Sequence, residues 1–487
     1  MGIVVKQSIY NVISIGLAFL IGAANMLYLY PTFPGKEFQG LIIALLANSN
    51  LIQPFLSFGV QHTLIKYFTY SYGKKERDRL LWFVLLFPLF ILVVLLPIYF
   101  YNNVEILRFL SNENEGVARF PYLIIAVAIS TAYFEIFFSW LRVHLKSVFG
   151  NFLKEVYPRL LTFCLLVSYA FQWIDLDDFV DCLIAGYYLR LFIILIYSFS
   201  IYIPSFEMKL PKSWKPMLRY SALIFLSGAA ASFILDIDKS MIYSLTSDAN
   251  VAFYAVAIYM AAVIEAPGRA MFQITSPLVA KALNEKDSSR LESLLKKSSI
   301  NLLISSGFVF LVILLNLNDF YQIINQEGYV SAFGVVVIVS LGKLFSMSMG
   351  CLNNIISNSK YYSYVFWFSV SSALLAVVLN YYFINSYGIL GAAMATLIVI
   401  VFINLCKIIL VKYLFGIHPY SSKSFGVVIS LIIIYLSLYA IPTTLNPWFS
   451  IPLRSLLILG LFCIPLFVFR WSSDIEDLVK RISRSLF

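Results

Sequence analysis

Residues 251–280 read VAFYAVAIYMAAVIEAPGRAMFQITSPLVA, and this stretch indicates how the chain folds. It contains one acid and one base, Glu265 and Arg269, among apolar and small polar residues. An apolar run of about 20 residues can cross a hydrocarbon layer of roughly 30 Å as a helix. Pro267 and Gly268 disfavour a regular helix at the point where the charges lie. The stretch therefore predicts a membrane-spanning helix that is interrupted beside a carboxylate.

Similar apolar runs recur along the whole chain of 487 residues, of which 61% are hydrophobic and 12% are charged. A soluble fold of this size has no core large enough to bury that much apolar surface. The runs are continuously apolar, whereas the strands of a membrane barrel alternate. We expect an all-α polytopic membrane protein with about 14 transmembrane helices. The predicted spans are 10–30, 39–61, 80–100, 119–140, 155–174, 179–203, 218–236, 249–272, 298–317, 329–352, 363–384, 388–411, 424–441 and 451–470.

The distribution of basic residues predicts the orientation of these spans. If both termini are cytoplasmic, most of the 35 Lys and Arg residues lie in cytoplasmic loops or in the tail, as the positive-inside rule requires. Basic loops that face anionic membrane lipids also account for the net charge of +10, and nucleic acid binding need not be invoked.

An internal repeat divides the chain. KERDRL (75–80) returns as KDSSRL (286–291), an offset of 211 residues, in the basic loop after the second span of each half. This offset superimposes the first six spans on the next six, which predicts two parallel six-helix repeats. We expect an N-terminal six-helix lobe at 1–203, a cytoplasmic linker at 204–217, a C-terminal six-helix lobe at 218–411, and two additional helices with a cytoplasmic tail at 412–487.

The sequence shows no enzyme motif. The five cysteines and three histidines are scattered and form no metal-ligand pattern, and no nucleotide-binding glycine loop is present. We predict no catalytic residues, no metal and no cofactor. Transport would then depend on an ion gradient or on the gradient of the substrate itself.

Two cations, Arg190 and Lys343, lie well inside predicted spans, where a charge costs about 2.5–3.5 kcal/mol and a functional role is the first hypothesis. Arg190, in the sixth span, is predicted to line a cavity and bind an anionic substrate group such as a phosphate. The alternative is a structural pair with an acid on a neighbouring helix. Lys343, in the tenth span, is predicted to be a second cation of the same cavity. Its alternative position is nearer the cytoplasmic surface.

Acids at membrane depth are candidates for ion coupling or substrate binding. Glu265 and Glu135 are predicted to carry a coupling ion, since a buried carboxylate binds protons more readily. Glu135 could instead pair with a basic loop. Asp236, near the external end of the seventh span, has Asn25 as its counterpart in the first half. We expect both to line the external mouth of a cavity, and the alternative for Asp236 is a local salt bridge at a hydrated helix end.

The repeat also pairs the opening stretch with LIQPFL (51–56). Each second span thus carries a polar residue near a proline, and interruptions at corresponding positions of two repeats mark the binding region of transporters. Gln53 is therefore predicted to contact substrate. Pro54, Pro267 and Gly268 are predicted to form hinges.

Two stretches resemble a known family. RYSALIFLSGAAASFILDIDKSMIYSLTSDANVAFYAVA (219–257) is similar to the seventh and eighth helices, and NFLKEVYPRLLTF (151–163) to the approach to the fifth helix, of flippases for lipid-linked oligosaccharides. These flippases belong to the multidrug/oligosaccharidyl-lipid/polysaccharide (MOP) exporter superfamily. The resemblance covers essentially the whole chain.

The resemblance implies two lobes around a V-shaped cavity that opens to one side at a time. The substrate would be a polyprenyl-pyrophosphate-linked oligosaccharide, moved to the outer leaflet of a bacterial inner membrane for a surface polysaccharide such as the O-antigen of lipopolysaccharide. Arg190 would meet the pyrophosphate, while polar and aromatic residues would meet the sugars. The implied partners are this substrate, a coupling ion (H⁺ or Na⁺), anionic membrane lipids and a polysaccharide polymerase.

Three other functions stay open. An ion-coupled multidrug or cation exporter of the same superfamily is favoured by Glu265 and disfavoured by Arg190 and Lys343. A membrane enzyme of polysaccharide polymerisation is disfavoured by the short external loops. A flippase for lipid-linked peptidoglycan precursors would share the architecture.

Overall fold

The computed structural model describes residues 3–68, 73–101, 119–144, 146–207, 209–325, 328–439 and 446–472. The structural statements below refer to these residues. The predicted external loop that follows Tyr101 and the cytoplasmic tail beyond Ser472 lie outside them.

The chain forms two compact units, Met1–Ala255 and Val256–Phe487. Unit 1 begins with α1 (Ile3–Ala24), a π-helical turn (Asn25–Leu29), α2 (Tyr30–Thr32), α3 (Lys36–Ser57), α4 (Val60–Phe68) and α5 (Lys74–Tyr101). It continues with α6 (Pro121–Val143), α7 (Ser147–Glu155), α8 (Tyr157–Ala170), α9 (Leu176–Ile201) and α10 (Trp214–Leu245), and α11 (Asp248–Ala262) runs across the boundary between the units.

Unit 2 continues with a 3₁₀ turn (Val263–Glu265), α12 (Ala266–Asn284), α13 (Ser288–Leu315), α14 (Leu317–Ile324) and a second 3₁₀ turn (Tyr329–Ala332). The remaining helices are α15 (Phe333–Ser348), α16 (Leu352–Asn358), α17 (Ser363–Phe415), α18 (Ser422–Tyr439) and α19 (Pro447–Val468). Every regular element in the described part of the chain is helical, which confirms the predicted all-α class.

Ten helices of the described ranges are long and apolar enough to cross a membrane. The longest, α17, spans 53 residues but is broken at Gly388, where φ is 57° and ψ is −137°. A Cβ atom on Gly391 would overlap the carbonyl of Phe383, although residues eight apart in a straight helix are separated by about 12 Å. The chain therefore bends sharply at Gly388, and α17 contains the two separate spans that the sequence predicts at 363–384 and 388–411.

The helix boundaries follow the internal repeat. Lys36 and Asp248 begin corresponding helices, as do Pro121 and Phe333, and the members of each pair lie 212 residues apart. This spacing agrees with the offset of 211 residues and with two similar sets of six spans. The compact units are not divided at the predicted linker, because α10, the seventh predicted span, packs along α3 in unit 1. The lobe boundaries inferred from the repeat stay a prediction.

Polar side chains join α10 to α3 and α4. The hydroxyls of Thr63 and Ser221 share a buried hydrogen bond of 2.5 Å, and Ser240 donates to the amide oxygen of Asn48 at 2.6 Å. From Asn48 to Thr63 the chain advances along α3 and α4, while their partners on α10 go back from Ser240 to Ser221. The α10 helix therefore runs antiparallel to α3 and α4. Between α3 and α4, Gly59 has a φ of 72°, and a Cβ there would lie 2.6 Å from the carbonyl oxygen of Ser221. Hydrogen bonds and small residues of this kind hold helices together in lipid, where apolar side chains gain little by leaving it.

The end of the sixth predicted span and the linker that follows it are attached to the start of α5. Tyr202 donates to the carboxylate of Asp78 at 2.5 Å, and Arg79 pairs with Glu207 at 3.3 Å. These contacts fix the path of the chain as it leaves α9.

Replacement of Gly59 by Val should destabilise unit 1. A side chain there strains the positive φ and pushes α10 away from the α3–α4 junction, which we expect to cost about 1–3 kcal/mol. Thermal unfolding of the purified protein in detergent measures the change. Gly460→Val is the matched control, because no atom lies within 4 Å of a Cβ at that position. Equal melting temperatures of the two variants would contradict the close contact.

Candidate functional site

The helix that begins with α11 is interrupted at the stretch quoted first. Pro267 has no N–H group, and the carbonyl of Val263 accepts the N–H of Ala266 instead, which forms the 3₁₀ turn. The carbonyl of Ile264 accepts a buried hydrogen bond of 2.8 Å from the hydroxyl of Ser306 on α13. A side chain from a neighbouring helix thus satisfies backbone freed by the break, as a helix at membrane depth requires. The predicted interruption is confirmed at this position.

The break places Glu265 opposite Lys343. The Nζ atom of Lys343 on α15 lies 2.9 Å from Oε1 of Glu265, and their side chains are 19% and 26% exposed. The sequence predicts one as a substrate-binding cation and the other as an ion-coupling carboxylate, without a link between them. The structure makes them one ion pair. Each charge neutralises the other between helices that are long and apolar enough to cross a membrane, and both side chains retain access to the surface.

Close packing holds the turn against α15. Gly268 is buried, and a Cβ at this position would lie 2.5 Å from the sulfur of Met347, one helical turn beyond Lys343. Pro267 occupies the first turn of α12, where its missing N–H is tolerated. Arg269 is exposed and makes further contacts. The Pro-Gly pair therefore permits the close approach of α12 to α15 that brings Glu265 and Lys343 together.

Arg190 on α9 lies in unit 1 and is 4% exposed. Its guanidinium lies 4.3 Å from the ring centroid of Phe134 and 4.7 Å from that of Tyr187. Nη2 donates to the hydroxyl of Thr131 at 3.3 Å, and Nε has no hydrogen-bond partner within the described ranges. No described carboxylate forms an ion pair with it. Aromatic faces also attract the cation, and no described carboxylate lies within ion-pair distance of Arg190.

Glu135 lies one helical turn beyond Thr131 on α6. Its Oε1 atom is 2.7 Å from Nζ of Lys154 on α7, and their side chains are 22% and 39% exposed. The ammonium of Lys154 also lies 5.5 Å from the ring centroid of Phe138. This is the pairing with a basic segment that the sequence offered as an alternative. An ion-coupling role for Glu135 stays a prediction.

Asn25 and Asp236 are held by different partners. Asn25 lies in the π-helical turn, is 3% exposed and donates to the carbonyl of Arg159 at 2.8 Å. Asp236 pairs with Lys239 at 2.6 Å and accepts from the amide of Asn50 at 3.2 Å. The α10 helix continues past both Asp236 and Lys239 to its end at Leu245, so this is not a helix end as the sequence suggested. The local salt bridge proposed for Asp236 is present.

The corresponding helix in the first half is also broken near its proline, Pro54, but at a different position relative to that proline. Gln53 donates to the hydroxyl of Ser57 at 3.2 Å, and Pro54 lies within the last turn of α3. The helix ends at Ser57, and Phe58 and Gly59 both adopt positive φ, at 45° and 72°. Both second helices are interrupted beside a proline, but the break follows the proline in unit 1 and precedes it in unit 2. The predicted hinge function of these prolines is a proposal.

Some polar contacts between helices were not predicted from the sequence. Asn48 and Asn50 both bond α10, and the polar run ANSN (47–50) within an apolar span was the available signal. In unit 2, the buried carboxylate of Asp319 accepts from Ser450 at 2.7 Å and lies 3.5 Å from Arg454. Asp319 and Arg454 are far apart in the sequence, and no pattern links them.

The sequence profile of a family described as polysaccharide biosynthesis protein matches residues 4–266, more than half of the chain. An uncharacterized membrane protein of Methanocaldococcus jannaschii is 28% identical over 188 residues, which are 37% of this chain and 42% of that protein. The alignment thus spans less than half of that relative's length.

Three solved structures share the fold. The lipid II flippase MurJ in an inward closed conformation superimposes with a TM-score of 0.74 at 16% identity, over 98% of this chain and all of that one. An inward-facing multidrug resistance MATE transporter of the MOP superfamily gives 0.62 at 13% identity, over 84% and 94% of the two chains. A MOP superfamily transporter of Pyrococcus furiosus gives 0.59 at 12% identity, over 85% and 95%. The chain therefore belongs to the polysaccharide biosynthesis protein family and has the fold of the MOP superfamily.

Proposed function

We propose that this protein is a flippase for a polyprenyl-pyrophosphate-linked oligosaccharide. It moves the lipid from the cytoplasmic to the outer leaflet of a bacterial inner membrane by alternating access, with both termini in the cytoplasm. The family and the fold support a transporter of this superfamily. The Lys343–Glu265 ion pair at the helix break is the observation that supports an anionic, phosphate-bearing substrate.

The pair suits an anionic headgroup because it can exchange partners. In the structure, Glu265 neutralises Lys343 at 2.9 Å. A pyrophosphate that enters offers Lys343 several oxygens with more charge than one carboxylate, and so competes with Glu265. The displaced carboxylate then binds a coupling cation, H⁺ or Na⁺, since an unpaired charge at this depth is unfavourable. Substrate entry and cation binding are thereby coupled through one site.

Arg190 is the second cation of the proposal. Its Nε atom has no partner in the described part of the chain, and rings rather than a carboxylate enclose the guanidinium. A planar guanidinium binds phosphate oxygens through two parallel hydrogen bonds. We assign Arg190 to a separate contact with the anionic part of the substrate, within unit 1, in a conformation in which Phe134 and Tyr187 have moved apart.

Charge pairing favours this function over export of cationic drugs. Glu265, Glu135 and Asp236 are the three acids that the sequence singled out, and each forms an ion pair with a lysine. A drug cation would have to compete with a lysine for each of these acids, whereas an anion also has Arg190, with which no described carboxylate forms an ion pair. Anionic lipids at the basic loops and a polymerase that receives the glycan are the remaining proposed partners.

Replacement of Lys343 by Gln should reduce glycan export at least about tenfold, because the headgroup loses the cation that replaces its water shell. Surface polysaccharide of cells that depend on this protein is the measurement, with its membrane abundance checked by immunoblot. Lys296→Gln is the control, because Lys296 also pairs with a glutamate, Glu292, at 2.5 Å but within one helix. Normal export by the Lys343→Gln protein at normal abundance would exclude Lys343 from the substrate site.

Reversal of the pair separates its structural role from its role in transport. Lys343→Glu and Glu265→Lys alone each place two like charges together and should lower the melting temperature of the purified protein. The double variant restores an ion pair and should recover most of that loss. Its export should stay low, because the cation now projects from the turn instead of from α15. A double variant no more stable than the single ones would contradict the pairing.

A further inference from the structure

We propose that a groove in unit 1, between the end of α2 and the turn from α8 to α9, binds sugar residues of the glycan on the predicted external side. The proposal rests on the proposed function for its biological role. It adds a saccharide contact site distinct from the membrane-depth pair of Lys343 and Glu265, which lies in unit 2.

The groove has a volume of about 490 Å³, within the range of roughly 300–1,000 Å³ that is usual for small-molecule sites. Phe33 and Trp173 contribute aromatic surface to its lining, and Gln172, Asp175 and Asp178 contribute polar groups. Sugars have the complementary chemistry, since their rings carry apolar C–H faces and their rims carry hydroxyls.

The ring of Trp173 is positioned to stack on a sugar. Trp173 is 74% exposed and is stacked on Phe171, with ring centroids 5.4 Å apart and planes at 24°. Gln172 between them has a φ of 59°, which folds the turn tightly. The face of an aromatic ring is electron-rich and attracts the weakly positive C–H groups of a sugar ring. One indole face is covered by Phe171, and the high exposure of Trp173 leaves the other available to a ligand.

The acids at the start of α9 differ in what they contact. Asp177 pairs with Arg119 at 2.5 Å, and Asp181 accepts from the hydroxyl of Tyr122 at 3.2 Å, so both are engaged by the start of α6.

The two groove acids instead cap the helix. Asp175 Oδ1 accepts the N–H of Asp178 at 2.8 Å, and Asp178 Oδ2 accepts the N–H of Asp175 at 3.3 Å. In the described part of the chain, the second oxygen of each carboxylate has no recorded hydrogen bond. These oxygens and the amide of Gln172 can accept hydrogen bonds from sugar hydroxyls.

Buried aromatic contacts pack the elements that carry the groove against one another. Phe179, on the first turns of α9, is fully buried and contacts the rings of Tyr30 and Phe38 at centroid distances of 6.5 Å and 5.2 Å. These contacts fix α2 against α9, and therefore fix the two sides of the groove relative to one another. A preformed groove binds with less loss of conformational entropy.

An anchor in the membrane interface is the other interpretation of an exposed tryptophan. Interfacial anchors do not require an amide and two carboxylates around the ring. The carboxylates of Asp175 and Asp178 also repel the phosphates of lipid headgroups. The combination of stacking surface and negative charge thus favours an uncharged, hydroxyl-rich ligand.

The test uses the full-length protein in nanodiscs and oligosaccharides released by mild acid from the lipid-linked pool of the source cells. Saturation-transfer NMR should detect contact with the sugar protons. Trp173→Ala and Gln172→Ala should each weaken binding, the former at least about tenfold because it removes the stacking surface. Trp448→Ala is the matched control, since Trp448 is 70% exposed at the start of α19 in unit 2 and does not line the groove.

Each outcome is decisive. Undetectable binding by the wild type, or equal binding by the Trp173→Ala and wild-type proteins, would contradict the proposal that the groove binds sugars. Binding lost equally in Trp173→Ala and Trp448→Ala would indicate interfacial anchors. Lys343→Gln should retain oligosaccharide binding, because the probe lacks the pyrophosphate. Oligosaccharide binding without any translocation of the lipid-linked form would refute the proposed flippase function and still support the sugar site. Translocation without oligosaccharide binding would support the flippase function and refute the sugar site.

Discussion

A charge at membrane depth must be neutralised, and the ion pair of Lys343 and Glu265 shows how this chain does so. The pair depends on a broken helix, since the 3₁₀ turn aims Glu265 at α15 and Gly268 permits the close approach. Although the turn itself is closely packed, both side chains of the pair are partly exposed, so a ligand can reach them without opening the core. A site that must release one partner for another is well placed at such a break.

The same constraint operates elsewhere in the molecule. Glu135 and Asp236 each have a lysine within 2.7 Å, and neither carboxylate is left alone. Arg190 is the contrast, because aromatic rings and a threonine surround it and no described carboxylate pairs with it. In the proposed function, transport of an anion requires positive charge that can be made available, and Arg190 and Lys343 would supply it in two different ways.

The fold could be predicted from local sequence patterns, but the partners in the ion pairs could not. Span positions depend on runs of apolar residues, and the helix break depends on Pro267 and its neighbours, so both can be read from consecutive residues. The partner of Lys343 is decided by how α15 packs against the turn, which no local pattern encodes. The sharp bend at Gly388 separates two predicted spans, although their sequences alone do not specify a φ of 57°. Contacts of Asn48 and Asn50 with α10 likewise depend on the antiparallel packing of α3 against it.

Equilibrium binding of geranyl pyrophosphate, a short prenyl pyrophosphate, to the purified protein tests the exchangeable pair most directly. If Glu265 competes with the headgroup for Lys343, the Glu265→Gln protein binds this lipid more tightly than the wild type, by about tenfold for each 1.4 kcal/mol of competition removed. The Lys343→Gln protein binds it more weakly. Equal or weaker binding by the Glu265→Gln protein would contradict the exchange, because the carboxylate would then not be a competitor of the substrate.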